Sequence, residues 1–160
     1  MSRKRTILAE LGHELPATAA PKGRFVPGVC AGDLLFLSGA IGTVFRDGAW
    51  GMPVKGKLGG GVSLEHGRRS AELCALHHLA QIEAVVGSLE RVRRVVKLSG
   101  YFNAAPGFTK APLALDGASD LLIAVFGDDR GPHARIATSQ PEMSFDAPIE
   151  TDPILQIEPK

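Results

Sequence analysis

From Ser63 to Gly87 the chain carries one amphipathic helical stripe, and this helix limits what the rest can become. Ala71, Ala75, Leu79, Ile82 and Val86 recur at helical spacing, with Leu73, Leu76 and Ala80 widening the apolar face. Ser63 is a suitable N-cap, Glu65 and Glu72 suit the positive end of the helix dipole, and Gly87-Ser88 marks the stop. The next run, Val92 to Phe102, holds Val95, Val96, Leu98 and Tyr101 and reads as a central strand. After a turn at Asn103–Phe108, residues 109–126 form a second amphipathic helix through Leu113, Ala114, Ala118, Leu121, Leu122, Val125 and Phe126. The segment Gly127-Asp128-Asp129-Arg130-Gly131-Pro132 closes it.

Strands flank this centre. Arg24–Cys30 reads as extended, with Pro27 marking an edge or bulge, and Gly32-Asp33 is a hairpin turn. Leu34-Leu35-Phe36-Leu37 is an apolar run ending at Ser38-Gly39, expected to be buried on both faces. Residues 42–61, with the turn Arg46-Asp47-Gly48, read as a short strand or loop and a flexible lead-in. Two last strands are expected near 133–140 and 148–157. A short helix over residues 2–12 and a linker over 15–23 precede all of these.

The order β-β-(β)-α-β-α-β-β predicts a single α+β domain of two layers. Its sheet is mixed, because a strand–helix–strand connection favours parallel neighbours, and both long helices lie on one face. Leu34–Leu37 and Val95–Leu98 put apolar groups on the other face too. A second copy of the chain is the simplest cover.

Composition narrows the function. With 160 residues and a net charge of +1, the chain suits one domain and lacks the footprint of a duplex-DNA or membrane-surface binder. The basic start Met1–Arg5 is followed by no long apolar run, so no secretory signal is expected. Cys30 and Cys74 read as two small buried hydrophobes in a reducing cytoplasm. His77-His78 diverge by about 100° around a helix and cannot share a metal, and His13, His66 and His133 lie in other elements. Gly59-Gly60-Gly61 lacks the Lys-Ser/Thr ending of a phosphate loop. Arg91-Val92-Arg93-Arg94 reads as a solvated rim. The nine aromatic residues do not interleave with basic ones as an RNA-stacking surface requires. Arg135 stands out, in an otherwise uncharged strand. A guanidinium there needs a carboxylate, either Glu150 within the protein or that of a ligand.

Several segments together resemble the RidA/YjgF family, also known as endoribonuclease L-PSP or translation-inhibitor proteins. They are Gly23-Arg24-Phe25-Val26-Pro27, Gly32-Asp33 through Ser38-Gly39, Arg94-Val95-Val96-Lys97-Leu98-Ser99-Gly100-Tyr101, Ala134-Arg135 and Ile149-Glu150. The interval from Arg135 to Glu150 matches the family's spacing, and the N-terminal helix resembles a longer subgroup. The resemblance implies a chorismate-mutase-like fold and a homotrimer with clefts between subunits. It also implies hydrolytic deamination of reactive 2-imino or enamine acids to 2-keto acids and ammonia, without metal or organic cofactor. By the same resemblance, Arg135 would clamp a substrate carboxylate and Glu150 would orient or activate water. Phe25, Ser38, Gly39, Tyr101 and the carbonyl of Ala137 would surround the ligand. The chain departs from the pattern at Phe25, where active deaminases carry tyrosine, and at Pro106, where asparagine is common. His133 and Thr138-Ser139-Gln140-Pro141 depart too. Two other functions follow from the same resemblance: a non-catalytic trimer that senses small carboxylates, or a ribonuclease or translation inhibitor.

Overall fold

A computed structural model describes residues 2–18 and 23–159; residues 19–22 of the expected linker lie outside the described residues. Helix α1 (Arg3–Glu10) is capped by Ser2, whose hydroxyl accepts from the Arg5 amide at 3.3 Å. It lies against α3 and residues 89–91. Leu8 is buried there, the Lys4 amide donates to Glu90 at 2.9 Å, and Arg5 pairs with Glu83.

Strands β1 (Gly28–Ala31) and β2 (Leu34–Leu37) form the expected hairpin around Gly32-Asp33. Residues 40–62 are more structured than their glycine content suggests. They hold β3 (Ala40–Ile41), a separate hairpin of β4 (Val44–Arg46) and β5 (Ala49–Gly51), and a small parallel pair, β6 (Lys57–Leu58) with β7 (Gly61–Val62). Helix α2 (Leu64–Val86) starts where Ser63 Oγ accepts from the His66 amide at 3.1 Å and ends at left-handed Gly87. Strand β8 (Val92–Asn103), helix α3 (Ala111–Phe126), strand β9 (Ala134–Gln140) and strand β10 (Ile149–Ile157) complete the domain.

The main sheet runs β1-β2-β10-β8-β9, with β3 also paired to β10. Only β8 and β9, joined through α3, are parallel; the other pairings are antiparallel. This is the mixed, two-layer α+β arrangement. Helices α2 and α3 approach so closely that a Cβ on Gly117 would lie 2.0 Å from the Arg68 carbonyl oxygen. Only glycine fits that crossing. The core between helices and sheet buries Leu79, Ile82, Leu115 and Leu122 against Val95, Leu98, Phe102, Ile149 and Leu155. Each such side chain contributes about 1.5–3 kcal/mol by leaving water.

The helices cover only one face of the sheet. Strand β10 alternates strictly, its odd residues buried and its even residues half-exposed. The expectation that Leu34–Leu37 and Val95–Leu98 are buried on both faces therefore fails within one chain. Phe36 is 41% and Val96 37% exposed, and Val29 and Ile136 join the uncovered apolar surface. Two smaller expectations also change. Cys30 is exposed at the β1 edge, whereas Cys74 is buried with its thiol pushed up to about 12 by desolvation. Leu113 faces water because it lies in the first turn of α3, off the buried stripe.

Candidate functional site

Strand β10 changes partner along its length. Ile154 to Gln156 pair with β2, and Glu150 and Thr151 pair with β3. Between those stretches the opposing chain breaks at Ser38-Gly39. Pro153, which has no amide hydrogen to donate, falls in the same gap. The break is fastened from outside: the Ser38 amide and hydroxyl donate to the carbonyls of Pro27 and Val26 at 2.9 and 2.6 Å. Glycine at 39 leaves room for the Glu150 carboxylate where it stands. A Cβ at that position would sit 2.3 Å from Glu150 Oε1.

Glu150 pairs in register with Tyr101 and so faces away from the helices. It is half-buried and has no ion-pair or hydrogen-bond partner among the described residues. Burial, then the charge of Asp152 two residues on, holds its carboxyl above the ordinary glutamate range. Tyr101 is shifted upward as well, by burial first and by Asp152 next. This corner thus offers a carboxyl poised to exchange protons closer to neutrality than a solvated one.

Beside it opens a cavity of about 600 Å³. Its lining includes Phe25, Gly39, Trp50, Met52, Lys55, His77 and Phe145. The His77 ring packs on Trp50 with centroids 5.4 Å apart, and its Nε2 lies 2.9 Å from the Thr43 carbonyl. Burial lowers the His77 pKa, which keeps the ring neutral. His78, about 100° further around the helix, bonds Gln81 and Thr151, so the two rings serve separate contacts. A second cavity, near 390 Å³, lies where the end of α1 meets α2 and α3 and contains none of the expected site residues.

Arg135 departs from the expected arrangement. It pairs with Leu98, whose row on β10 is Pro153, whereas Glu150 shares a row with Tyr101 and Thr138. The two residues therefore point to opposite faces of the sheet, and the Arg135–Glu150 ion pair does not form within the chain. The guanidinium instead meets Asp116 Oδ1 of α3 at 2.7 Å and donates to Ser119 Oγ and the Pro112 carbonyl, both at 3.2 Å. It is not left free. Asp116 also meets Arg68 at 3.5 Å, tying α2, α3 and β9 together. Ala137 lies on the same inner face, opposite Gly100. Of the expected residues, then, Phe25, Ser38, Gly39, Tyr101 and Glu150 gather at one corner. Arg135 and Ala137 lie on edge strand β9. In the basic cluster, the Arg91 side chain donates to the Val86 and Glu158 carbonyls, a structural use.

Sequence reasoning missed Asp116, Asp152, Trp50, Met52 and Phe145. Asp152 could have been found, since strand alternation from Glu150 places it on the same face. Trp50 and Met52 follow the turn at Asp47-Gly48, but nothing local says that this hairpin packs Trp50 on His77 of α2.

A helix-covered mixed sheet with a half-buried carboxyl at a strand break defines the class of protein. Residues 4–149 match the family model described as "YjgF/chorismate_mutase-like, putative endoribonuclease", and the chain belongs to that family. It is 38% identical over 150 residues to Protein TCP17 of Trypanosoma cruzi, covering 94% of this chain and 91% of that one. Two crystal structures are similar. One is Atu1372 of Agrobacterium tumefaciens, a protein of unknown function, with TM-score 0.86, 36% identity and coverage of 97% and 92%. The other is a "putative endoribonuclease" of Shewanella oneidensis, with TM-score 0.89, 29% identity and coverage of 98% and 100%.

Proposed function

We propose that this chain hydrolyses 2-imino acids to 2-keto acids and ammonia, with Glu150 as the proton-transfer group. The supporting observation is the Glu150 carboxyl itself: half-buried, unpartnered among the described residues, and accommodated only because residue 39 is glycine. Its carboxylate takes a proton from water as the oxygen attacks the iminium carbon. The resulting carboxylic acid returns that proton to the nitrogen of the tetrahedral adduct. The C–N bond then breaks and ammonia leaves, while the adduct's hydroxyl gives its proton back to the Glu150 carboxylate as the C=O bond forms. That proton departs with ammonia as ammonium. One positioned acid–base group is worth about 10²–10⁴-fold.

Arg135 is the proposed carboxylate clamp. Within one chain it lies across the sheet from Glu150, so the pair can serve one substrate only across a boundary between copies. A homotrimer with clefts between subunits, as the family resemblance implies, meets that need and covers Val29, Phe36 and Ile136. The clamp must exchange Asp116 for substrate. Both side chains are about 30% exposed, so the resident pair is worth only about 1 kcal/mol, less than a bidentate substrate contact at ~1.5–3 kcal/mol. The free thiols of Cys30 and Cys74 suit a reducing cytoplasm. No helix among the described residues is long and apolar enough to cross a membrane.

The test generates 2-aminoacrylate in situ and follows keto acid and ammonia. Glu150→Gln is expected to slow turnover about 100-fold, and Arg135→Ala to raise KM. The acid limb of the wild-type pH profile should lie above the ordinary glutamate pKa and vanish in Glu150→Gln. Wild type at the spontaneous rate would sink the reading. Phe25, which lacks a phenol, and the Asp116 contact favour a second reading, a non-catalytic carboxylate sensor. That reading requires calorimetric binding of 2-ketobutyrate or benzoate without turnover.

A further inference from the structure

We propose that the cavity beside Glu150 is a side-chain pocket for an aromatic ring, so that the substrates of this chain are 2-imino acids of the aromatic class. This rests on the deaminase reading for its chemistry but on separate residues for its argument. A volume of about 600 Å³ lies in the range of pockets that hold drug-sized molecules, far beyond the need of a three-carbon acid. Three of the nine aromatic residues, Phe25, Trp50 and Phe145, border it, with Met52 between.

Much of the pocket's polar lining is already engaged. His77 is held by Thr43 and kept neutral by burial, and Gln81 is engaged by His78. An incoming side chain therefore meets mainly aromatic faces and a thioether, with the exposed Lys55 as the charged group at the rim. Rings packing against such surfaces gain more than their buried area alone gives.

The backbone around Phe145 is an independent sign. Phe145 and Asp146 are consecutive non-glycine residues in the left-handed region, with φ of 61° and 56°. Side chains adopt that region at a cost, and only where surroundings enforce it. Here buried Asn103 donates to Asp146 Oδ1 at 3.1 Å, and the Gly56 amide donates to the Asp146 carbonyl at 2.9 Å. Lys57 braces Asn103 from the other side at 2.8 Å. The outcome is a large apolar side chain, 73% exposed, held at the wall of the cavity.

Trp50 is the only tryptophan, so its emission reports on the pocket directly. The experiment titrates the whole protein with 3-phenylpropanoate and with propanoate, following tryptophan emission and calorimetry. It then compares kcat/KM for imines made in situ from phenylalanine and from alanine. The proposal expects at least tenfold tighter binding of 3-phenylpropanoate with a change in Trp50 emission, and a higher kcat/KM for the phenylalanine-derived imine. Trp50→Ala and Phe145→Ala should each cut the aromatic-over-small ratio at least fivefold. Phe145→Ala alters only an exposed side chain, which guards against misfolding. Binding of 3-phenylpropanoate without turnover of any imine would keep the pocket and sink the deaminase reading. Turnover of both imines with no aromatic preference, or equal binding of the two acids, would overturn the pocket and leave the deaminase reading intact.

Discussion

The two faces of strand β10 follow opposite rules. On the helix side, Thr151 is fully buried and its hydroxyl lies 2.8 Å from His78 Nε2, whose other ring nitrogen lies 2.8 Å from Gln81. Both ring nitrogens of His78 and the Thr151 hydroxyl have partners. On the outer side, one residue earlier, Glu150 has none among the described residues and shares its surroundings with another carboxyl, Asp152. Burial acts on both faces, yet only one is compensated. The covered face was built for stability. The outer face keeps a proton-exchanging group at a cost, which is the pattern of a site.

The contrast can be broken from the covered side first. Gly117→Ala drives a Cβ into backbone at the α2–α3 crossing and should cost about 3 kcal/mol, read as a lower urea midpoint. Gly39→Ala meets only the end of a flexible glutamate, so its stability should barely move. Its imine turnover should fall at least tenfold as Glu150 is displaced.

Next in size is acid sensitivity. His78 has its pKa lowered to about 4 by burial, against 6.5 in the unfolded chain. The folded form refuses a proton that the unfolded form accepts. This contribution is complete above pH 6.5 and is lost as pH falls toward 4, about 3 kcal/mol in all. His78→Asn should flatten stability measured by urea unfolding across that window. His77 and His133 are lowered in the same direction and leave a residual slope.

Glu150 has the opposite sign. Its folded pKa lies above its unfolded value, so its contribution is present below the ordinary glutamate pKa and is lost as pH rises through the raised value. Glu150→Gln should therefore stabilise the protein at pH 7. That gain should disappear in acid, as thermal melts at pH 7 and pH 4 would show. The smallest effect expected is from Asp116→Asn. It loosens the hold on Arg135 and should tighten 2-ketobutyrate binding two- to threefold by calorimetry, while weakening the fold by about 0.5–1 kcal/mol.

Much of this was legible without coordinates. Ser63 and Gly87 delimit α2 as their capping chemistry requires, and the strand–helix–strand order from β8 to β9 yields the parallel pair. Gly39 and Glu150, both singled out by the family resemblance, lie side by side. Other points were not legible, because they depend on contacts between distant segments. Arg135 was rightly read as needing a carboxylate. Alternation within β9, however, points it toward α3, and Asp116 reaches it first. Residues 42–61 look like loop by composition, yet β4–β5 packs Trp50 on His77 at the cavity.

Periodicity, caps and turns are local properties, set by the geometry of neighbouring residues along the chain. They settled the helices, the longer strands and the two-layer plan of this protein. Which side of the sheet the helices would cover, and hence which charges would be satisfied and which left exposed to a ligand, was decided only when segments more than a hundred residues apart packed together.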